Sequence, residues 1–99
     1  MKVELLYWDG CPSTDEAREL LQDVLDGRDA EVVVREVRTD EEAEALRFPG
    51  SPTIRVDGAD VQPTDDPTGL TCRVYRRRDG RVSPVPDPDD LRDALRSHL

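Results

Sequence analysis

The first 37 residues alternate between strand-like and helix-like hydrophobic patterns, and this alternation constrains the fold more than any other feature of the chain. Residues 3–8 form a short apolar run, broken by Glu4, that predicts a largely buried strand. Residues 32–37 form a nearly continuous β-branched run that predicts a second strand. Strand, helix and strand in this order predict a βαβ unit with parallel strands. The helix between them is indicated by apolar residues at helical spacing that stop near Gly27, namely Ala17, Leu20, Leu21, Val24 and Leu25.

A short helix and a breaker cluster follow the second strand. Thr39 or Asp40 is expected to cap a helix that runs to Leu46, because acidic residues fill its first turn. Residues 48–52 contain two prolines and a glycine, so the helix cannot continue through them. The chain is therefore expected to change direction before its third strand.

A hairpin is predicted next. Residues 53–56 form a third strand, and Asp57-Gly58 is a two-residue turn signal after which residues 59–62 return. Residues 63–71 then form a polar loop that we expect to be an insertion near the active site.

The end of the chain predicts one more strand and a final helix. Residues 72–77 are the strand candidate, and Asp79-Gly80 turns the chain after it. Asp87-Pro88 is expected to open the helix. The apolar face of this helix consists of Leu91, Ala94, Leu95 and Leu99.

The length and the net charge of the chain limit its expected domain number and its expected partners. At 99 residues, residues 1–99 are expected to form a single domain. The net charge of −9 repels phosphate backbones, so nucleic acid is not an expected partner. No apolar run approaches the ~18 residues of a membrane span, and no signal peptide is visible. We expect a cytoplasmic protein without a membrane partner, in which the two cysteines are reactive or simply buried.

Neither a cofactor nor a metal is predicted. His98 is the only histidine, and it has no second histidine or cysteine pair with which to hold zinc. The chain also has no glycine-rich motif that could cradle a phosphate group.

Three segments of the chain resemble the thioredoxin superfamily. Residues 7–14, Tyr-Trp-Asp-Gly-Cys-Pro-Ser-Thr, are similar to its aromatic-led active-site turn. Ser51-Pro52-Thr53 is similar to its cis-proline segment, and residues 53–58 to its third strand and turn. The chain looks closest to small bacterial thioredoxin-like proteins, some of which are labelled as similar to alkylmercury lyases. The resemblance covers residues 1–62 and extends to the final helix. It implies an α/β fold with helices on both faces of a mixed sheet.

The resemblance also implies a site around Cys11. Pro52 would be cis and face the Cys11 sulfur, which leaves the Ser51 backbone free to pair with an extended substrate or a thiol ligand. Redox thioredoxins carry Cys-x-x-Cys, whereas this chain has Thr14 at the second position. An ordinary dithiol pair within the motif is therefore absent. The residues implied in substrate binding are Trp8, Pro12, Thr14, Ser51 and Pro52.

Two opposing influences act on the pKa of Cys11. Pro12 is predicted to be the first helical position, so Cys11 falls at or next to the N-cap, where free N–H groups and the positive helix end stabilise a thiolate. Thr14 could donate its hydroxyl to the sulfur. Three acidic residues nearby in sequence, Asp9, Asp15 and Glu16, would raise the pKa. The sequence leaves this balance open.

The position of Cys72 depends on which strand pairs with residues 53–56. If residues 72–77 pair directly with them, Cys72 lies at the far end of the sheet, beyond bonding distance of Cys11. If residues 59–62 take that place, the chain returns toward Cys11 and the loop delivers Cys72 close to it. The hairpin signal favours the second arrangement. In it, Cys72 could resolve a mixed disulfide, which the motif position occupied by Thr14 cannot do.

Three functions are compatible with these residues. The first is a thiol–disulfide oxidoreductase with Cys11 as nucleophile and Cys72 or an external thiol as resolving group. Its partner would be a protein disulfide or a low-molecular-weight thiol. The second is a binding protein for soft metals or organomercurials, because such ions prefer thiolate sulfur. The third is a non-catalytic interaction module that uses the groove at Pro52, which a Cys11 sulfur buried away from solvent would favour. The oligomeric state is left open.

Overall fold

The strand–helix–strand pattern at the start of the chain folds as a parallel unit. In the computed structural model, which describes residues 1–96, β1 (Lys2–Tyr7) and β2 (Glu31–Glu36) pair in parallel along their whole length. Helix α1 (Thr14–Leu25) makes the crossover that parallel pairing requires. The predicted βαβ unit is confirmed, with each strand starting one residue earlier than its hydrophobic run.

Helix α1 begins later than predicted. Pro12 lies in a turn before the helix, and Ser13 is the N-cap, whose carbonyl accepts a hydrogen bond from the N–H of Ala17 at 3.1 Å. The prediction that Pro12 is the first helical residue is therefore wrong by two positions. Cys11 lies two residues before the N-cap rather than at it or next to it. Gly27, with φ of +76°, turns the chain after the helix.

The central sheet is mixed. Strand β3 (Thr53–Val56) pairs antiparallel with β1, and β4 (Ala59–Asp60) pairs antiparallel with β3, so the order is β2-β1-β3-β4. The turn between β3 and β4 has φ of 48° at Asp57 and 86° at Gly58, as a tight hairpin turn requires. The hairpin prediction is confirmed, although β4 ends two residues earlier than expected.

Helices cover both faces of this sheet. Successive side chains of a strand point to opposite faces, and Leu5 and Leu6 of β1 accordingly enter two different apolar clusters. Leu5 packs with α1 and with α3 (Pro88–Arg96), whereas Leu6 packs with α2 (Asp40–Ala45). Residues 1–96 thus form an α/β structure with three helices and a mixed sheet. The first cluster contains Val3, Leu5, Ala17, Leu21, Val24, Ile54, Val56, Val85, Leu91 and Leu95, and the second contains Leu6, Val37, Ala43 and Phe48.

Side-chain caps fix the starts of α2 and α3. The hydroxyl oxygen of Thr39 accepts a hydrogen bond from the N–H of Glu42 at 3.1 Å, as the sequence predicts. The carboxylate of Asp87 accepts from the N–H groups of Arg78 at 3.0 Å and Asp89 at 2.9 Å. These hydrogen bonds lower the pKa of Asp87 below its ordinary value.

A separate two-stranded sheet precedes α3. Strands β5 (Tyr75–Arg76) and β6 (Val82–Ser83) pair antiparallel with each other. The alternative in which residues 72–77 pair directly with β3 is wrong, because β4 occupies that edge.

The last three residues bear on two sequence predictions. His98 and Leu99, the latter predicted to lie on the apolar face of the final helix, are outside the described residues. Within residues 1–96, no helix combines the length and the apolar character that crossing a membrane demands.

Candidate functional site

Cys11 lies in the turn between β1 and α1. Its N–H donates to the carbonyl of Trp8 at 3.0 Å, which closes the turn. The indole ring of Trp8 covers Gly10 so closely that a Cβ there would lie 2.5 Å from it, so any side chain at this position would have to displace the ring. Cys11 itself is 5 % exposed. The turn therefore holds the thiol almost fully buried at the end of the sheet.

The segment before β3 faces this turn. Antiparallel pairing of β1 with β3 sets Leu6 opposite Thr53, so the end of one strand meets the start of the other. The peptide bond between Ser51 and Pro52 is cis, which confirms that expectation. The Cys11 thiol donates a hydrogen bond to the carbonyl oxygen of Ser51, with 3.4 Å between the heavy atoms.

Cys72 is held beside the same serine by backbone hydrogen bonds. The N–H of Ser51 donates to the carbonyl of Thr71 at 2.7 Å, and the N–H of Arg73 donates to the carbonyl of Ser51 at 2.8 Å. Ser51 and Cys72 thereby form an isolated parallel β-bridge. We call residues 71–73 the return segment. It brings the chain back to Cys11 after the hairpin, as the second sequence arrangement predicts.

The two cysteines are free thiols that both contact Ser51, and each shifts the pKa of the other. Burial raises the pKa of Cys11, but hydrogen bonds with Cys72 and Ser13 outweigh burial and lower its pKa overall. The hydrogen bond with Cys11 is the main cause that raises the pKa of Cys72, to about 11. The pair therefore ionises first at Cys11, while Cys72 keeps its proton and donates it to the Cys11 thiolate.

A buried arginine anchors the return segment, and the sequence analysis missed it. Arg73 is 4 % exposed, and its guanidinium donates to the carboxylate of Asp60 at 2.7 Å and to the hydroxyl of Thr53 at 3.3 Å. It also lies 4.3 Å from the centre of the Tyr75 ring. The hydroxyl of Tyr75 donates to the carbonyl of Pro52 at 2.5 Å. These contacts tie the return segment to β4 and to the start of β3.

The alternation of residues 72–77 is the one signal that could have found this network. Arg73 and Tyr75 share a face of that segment and are buried, whereas Val74 between them is 65 % exposed. An arginine on an inward face needs a carboxylate partner, because an unpaired buried charge is costly. That partner, Asp60, lies beyond the polar loop, so spacing along the chain does not identify it.

Gly50 allows the return segment to approach. Its φ is +135°, and a Cβ at this position would lie 3.1 Å from both the backbone nitrogen and the Cβ of Arg73. A side chain here would push Arg73 away and weaken its backbone pairing with Ser51.

The edge expected to bind an extended substrate is filled by the chain itself. The sequence analysis expects the Ser51 backbone to be free for a substrate, but Thr71 and Arg73 use both its N–H and its carbonyl. In this structure, a peptide substrate would have to displace the return segment to pair with Ser51.

The other predicted site residues surround Cys11 in different ways. Trp8 is half-buried and packs against the α2 side of the core, while Pro12 is exposed. The hydroxyl oxygens of Thr14 and Ser51 are buried, and neither has a hydrogen-bond partner among residues 1–96. The expectation that Thr14 donates to Cys11 is therefore wrong.

A polar cavity of about 310 Å³ borders Cys11. Cys11, Pro12 and Thr14 contribute to its wall. Two carboxylates and one guanidinium also line the cavity, so it suits a small polar molecule better than an apolar one. The remaining lining residues are Tyr7, Asp9, Asp15 and Arg18.

The described part of the chain offers no multi-ligand metal centre. Within residues 1–96, no three histidine, cysteine, aspartate or glutamate side chains converge on a point that could hold a metal ion. Comparison with protein-family models, curated proteins and solved structures gives no match, so function is inferred from the residues and their geometry.

Proposed function

We propose that this chain is a thioredoxin-like dithiol–disulfide oxidoreductase whose redox pair is Cys11 and Cys72. The observation that carries this proposal is that both cysteines meet at Ser51. The carbonyl of Ser51 accepts a hydrogen bond from the Cys11 thiol at 3.4 Å, and Ser51 pairs with Cys72 in a β-bridge. The order of elements supports a thioredoxin-like fold, with a parallel βαβ unit, an antiparallel hairpin and a final helix. A cis Pro52 beside the thiol supports it further.

The first step is attack on a substrate disulfide. The Cys11 thiolate attacks one sulfur of R–S–S–R, the S–S bond breaks, and RS⁻ leaves and takes a proton from water. Cys11 is then joined to the other half of the substrate in a mixed disulfide. The lowered pKa of Cys11 keeps a larger fraction of it in the reactive thiolate form.

The second step uses Cys72. In the mixed disulfide, the Cys11 sulfur no longer carries a negative charge. It therefore no longer stabilises the proton of Cys72, and the pKa of Cys72 falls from about 11. Cys72 loses its proton to solvent and attacks the Cys11 sulfur, which releases the second RS⁻. In total, two protein thiols are oxidised to one disulfide and one substrate disulfide is reduced to two thiols.

An external low-molecular-weight thiol would restore the reduced pair. Cys72 is exposed whereas Cys11 is 5 % exposed, so the incoming thiolate reaches the Cys72 sulfur first. Attack there releases Cys11, whose lower pKa makes it the better leaving group. The resulting mixed disulfide at Cys72 is cleared by a second thiol.

Access to the site favours a small disulfide over a peptide strand. The return segment occupies the Ser51 edge on which an extended peptide would pair. The polar cavity of about 310 Å³ that borders Cys11 has room for a small molecule but not for a peptide strand. We therefore favour a low-molecular-weight disulfide over a protein disulfide as the substrate.

Thiol release upon addition of a low-molecular-weight disulfide tests the mechanism. The wild-type protein is expected to release both substrate halves as free thiols and to retain no adduct. Cys72→Ser is expected to release only one and to keep the other half on Cys11. The matched variant Cys11→Ser removes the proposed nucleophile and leaves Cys72 alone, so it too is expected to release only one substrate half and to keep the other, in this case on Cys72. A wild-type protein that retains the mixed disulfide as stably as Cys72→Ser would contradict the proposal.

The burial of Cys11 favours a different candidate, a non-catalytic interaction module. A thiol that is 5 % exposed is the feature expected of such a module. Two observations weigh against it. A second cysteine, Cys72, is paired with the same Ser51 whose carbonyl accepts from the Cys11 thiol, and the groove edge at Ser51 is already occupied. Failure of both cysteines to react with any small disulfide would support the module instead.

A soft-metal role is favoured by the same pair of thiols. Two adjacent sulfurs, without a third ligand among residues 1–96, suit a thiophilic ion or an organomercurial that accepts few ligands. Native mass spectrometry with mercury(II) tests it. A one-to-one adduct that both Cys11→Ser and Cys72→Ser abolish would support the role, and an adduct that persists in both variants would exclude it.

A further inference from the structure

The outer edge of the central sheet, strand β2, carries apolar side chains that no element of residues 1–96 covers. Val32 is 46 % exposed and Val34 is 42 % exposed. Both point to the face of the sheet on which α1 lies, because they pair with Val3 and Leu5 of β1. A cavity of about 550 Å³ lies beside them, between β2 and α1. Its other apolar lining residues are Leu5, Leu21 and Leu25.

The backbone of β2 is also unpaired on its outer side. The N–H of Glu31 donates to the Met1 carbonyl at 3.0 Å and the N–H of Val37 donates to the Tyr7 carbonyl at 2.7 Å, so odd-numbered residues direct these groups toward β1. Backbone groups alternate along a strand, so Val32 and Val34 direct theirs outward. Strand β2 is the end of the sheet order among the described residues. It therefore offers a row of free donors and acceptors next to an apolar stripe.

We propose that β2 pairs antiparallel with β2 of a second copy of this chain, with Val33 opposite Val33 of the partner subunit. In this register, Val32 lies opposite Val34 of the partner subunit, and the outward backbone groups of these two residues bond each other. The two sheets become one continuous sheet of eight strands. Four valines, two from each copy, then form one apolar stripe beside the two cavities.

The charge pattern of the strand selects this register. With Val33 opposite itself, Glu31 lies opposite Arg35 of the partner subunit, and the same pair recurs on the other side of the two-fold axis. Neither Glu31 nor Arg35 is in a salt bridge within residues 1–96. A shift that places Val34 opposite itself would set Glu31 opposite Val37 and lose both ion pairs.

The Glu31–Arg35 pairs matter because the two copies carry a net charge of the same sign. At a net charge of −9, two copies repel each other, so a purely apolar contact would be opposed at long range. At an ionic strength of about 0.15 M, charges more than ~8 Å apart are largely screened, while the Glu31–Arg35 pairs act at close contact. The association should therefore be measured under these conditions. This inference is independent of the proposed redox function.

Charge reversal tests the register directly. Sedimentation velocity of the full chain is expected to give a concentration-dependent dimer. Glu31→Arg and Arg35→Glu each place like charges opposite one another and are expected to weaken dimerisation about tenfold. The double variant restores two opposite-charge pairs and should return to near the wild-type constant. Glu41→Arg, an exposed change of the same charge on α2, is the control and should not weaken the dimer.

A cysteine crosslink provides a second readout. In a chain with Cys11→Ser and Cys72→Ser, the substitution Val33→Cys places two thiols opposite each other across the two-fold axis. Oxidation is expected to give a covalent dimer. A protein that stays monomeric at all concentrations would overturn the proposal. A dimer that neither forms the crosslink nor responds to charge reversal would overturn it too, since it would use another surface.

Discussion

Replacing Cys11 with alanine should make Cys72 more reactive, because Cys72 loses the partner that holds its proton. The hydrogen bond with Cys11 is the largest cause of the raised pKa of Cys72, which is about 11 against an ordinary 9.0. In the variant, this pKa should fall toward 9.0. Desolvation of the Cys72 thiol by its surroundings, which also raises its pKa, remains and limits the fall.

The size of the effect follows from ionisation and nucleophilicity together. At pH 8, a fall of the pKa from about 11 to 9.0 raises the thiolate fraction about a hundredfold. The intrinsic nucleophilicity of a thiolate drops as its pKa falls, with a Brønsted coefficient of about 0.4–0.5, which removes about six- to tenfold. The net gain in rate is therefore about fifteenfold at most.

The assay is alkylation of Cys72 by iodoacetamide, followed by peptide mass spectrometry over a range of pH. The inflection in the rate should move to lower pH in Cys11→Ala than in the wild type. Thr14→Ala is the matched control, because it removes a buried hydroxyl near Cys11 without touching the thiol pair. A Cys72 rate in Cys11→Ala that equals or falls below the wild-type rate would refute the reasoning.

Three further variants test other parts of the site. Cys72→Ala removes the hydrogen bond that helps to lower the pKa of Cys11, so the inflection for Cys11 alkylation should move to higher pH; no movement would contradict the shared proton. Gly50→Ala should cost at least about 1 kcal/mol in urea unfolding and slow oxidation of the pair, because φ is +135° and Arg73 lies in the way. Arg73→Met leaves Asp60 without its cation and should cost about 2–4 kcal/mol, again by urea unfolding, whereas an unchanged midpoint would show that the return segment is held by other contacts.

The parts of the fold that were predictable from sequence are those specified by local patterns. The βαβ unit follows from apolar runs with two different periods, and the hairpin follows from Asp57-Gly58, whose positive φ values the Asp-Gly pair tolerates. The cap of α2 follows from Thr39, a hydroxyl residue before an acidic first turn. Each of these signals lies within a few residues of the structure that it determines.

The start of α1 was not predictable in the same way. Pro12 is acceptable at the first helical position, but nothing in its chemistry requires the helix to start there. The turn of residues 8–11, closed by the hydrogen bond from Cys11 to Trp8, delays the helix to Thr14. This shift places Cys11 two residues before the N-cap, Ser13.

The environment of the thiol pair was the least predictable part of the site. The proximity of Cys72 to Cys11 depends on backbone pairing between Ser51 and the return segment, and on the ion pair of Arg73 with Asp60. These are contacts between residues far apart in sequence, made by side chains that also occur on ordinary polar surfaces. The sequence could therefore state two arrangements for Cys72 and favour one, but it could not identify the residues that hold it.

The most direct test of the central claim is the disulfide state of the wild-type protein in a low-molecular-weight thiol–disulfide buffer. The protein is equilibrated, its remaining thiols are alkylated, and its non-reduced peptides are mapped by mass spectrometry. We expect a peptide in which Cys11 is linked to Cys72 to become the main oxidised species as the buffer is made more oxidising. Separate adducts of the buffer thiol on the two cysteines, with no linked peptide at any ratio, would contradict the claim that they act as one redox pair.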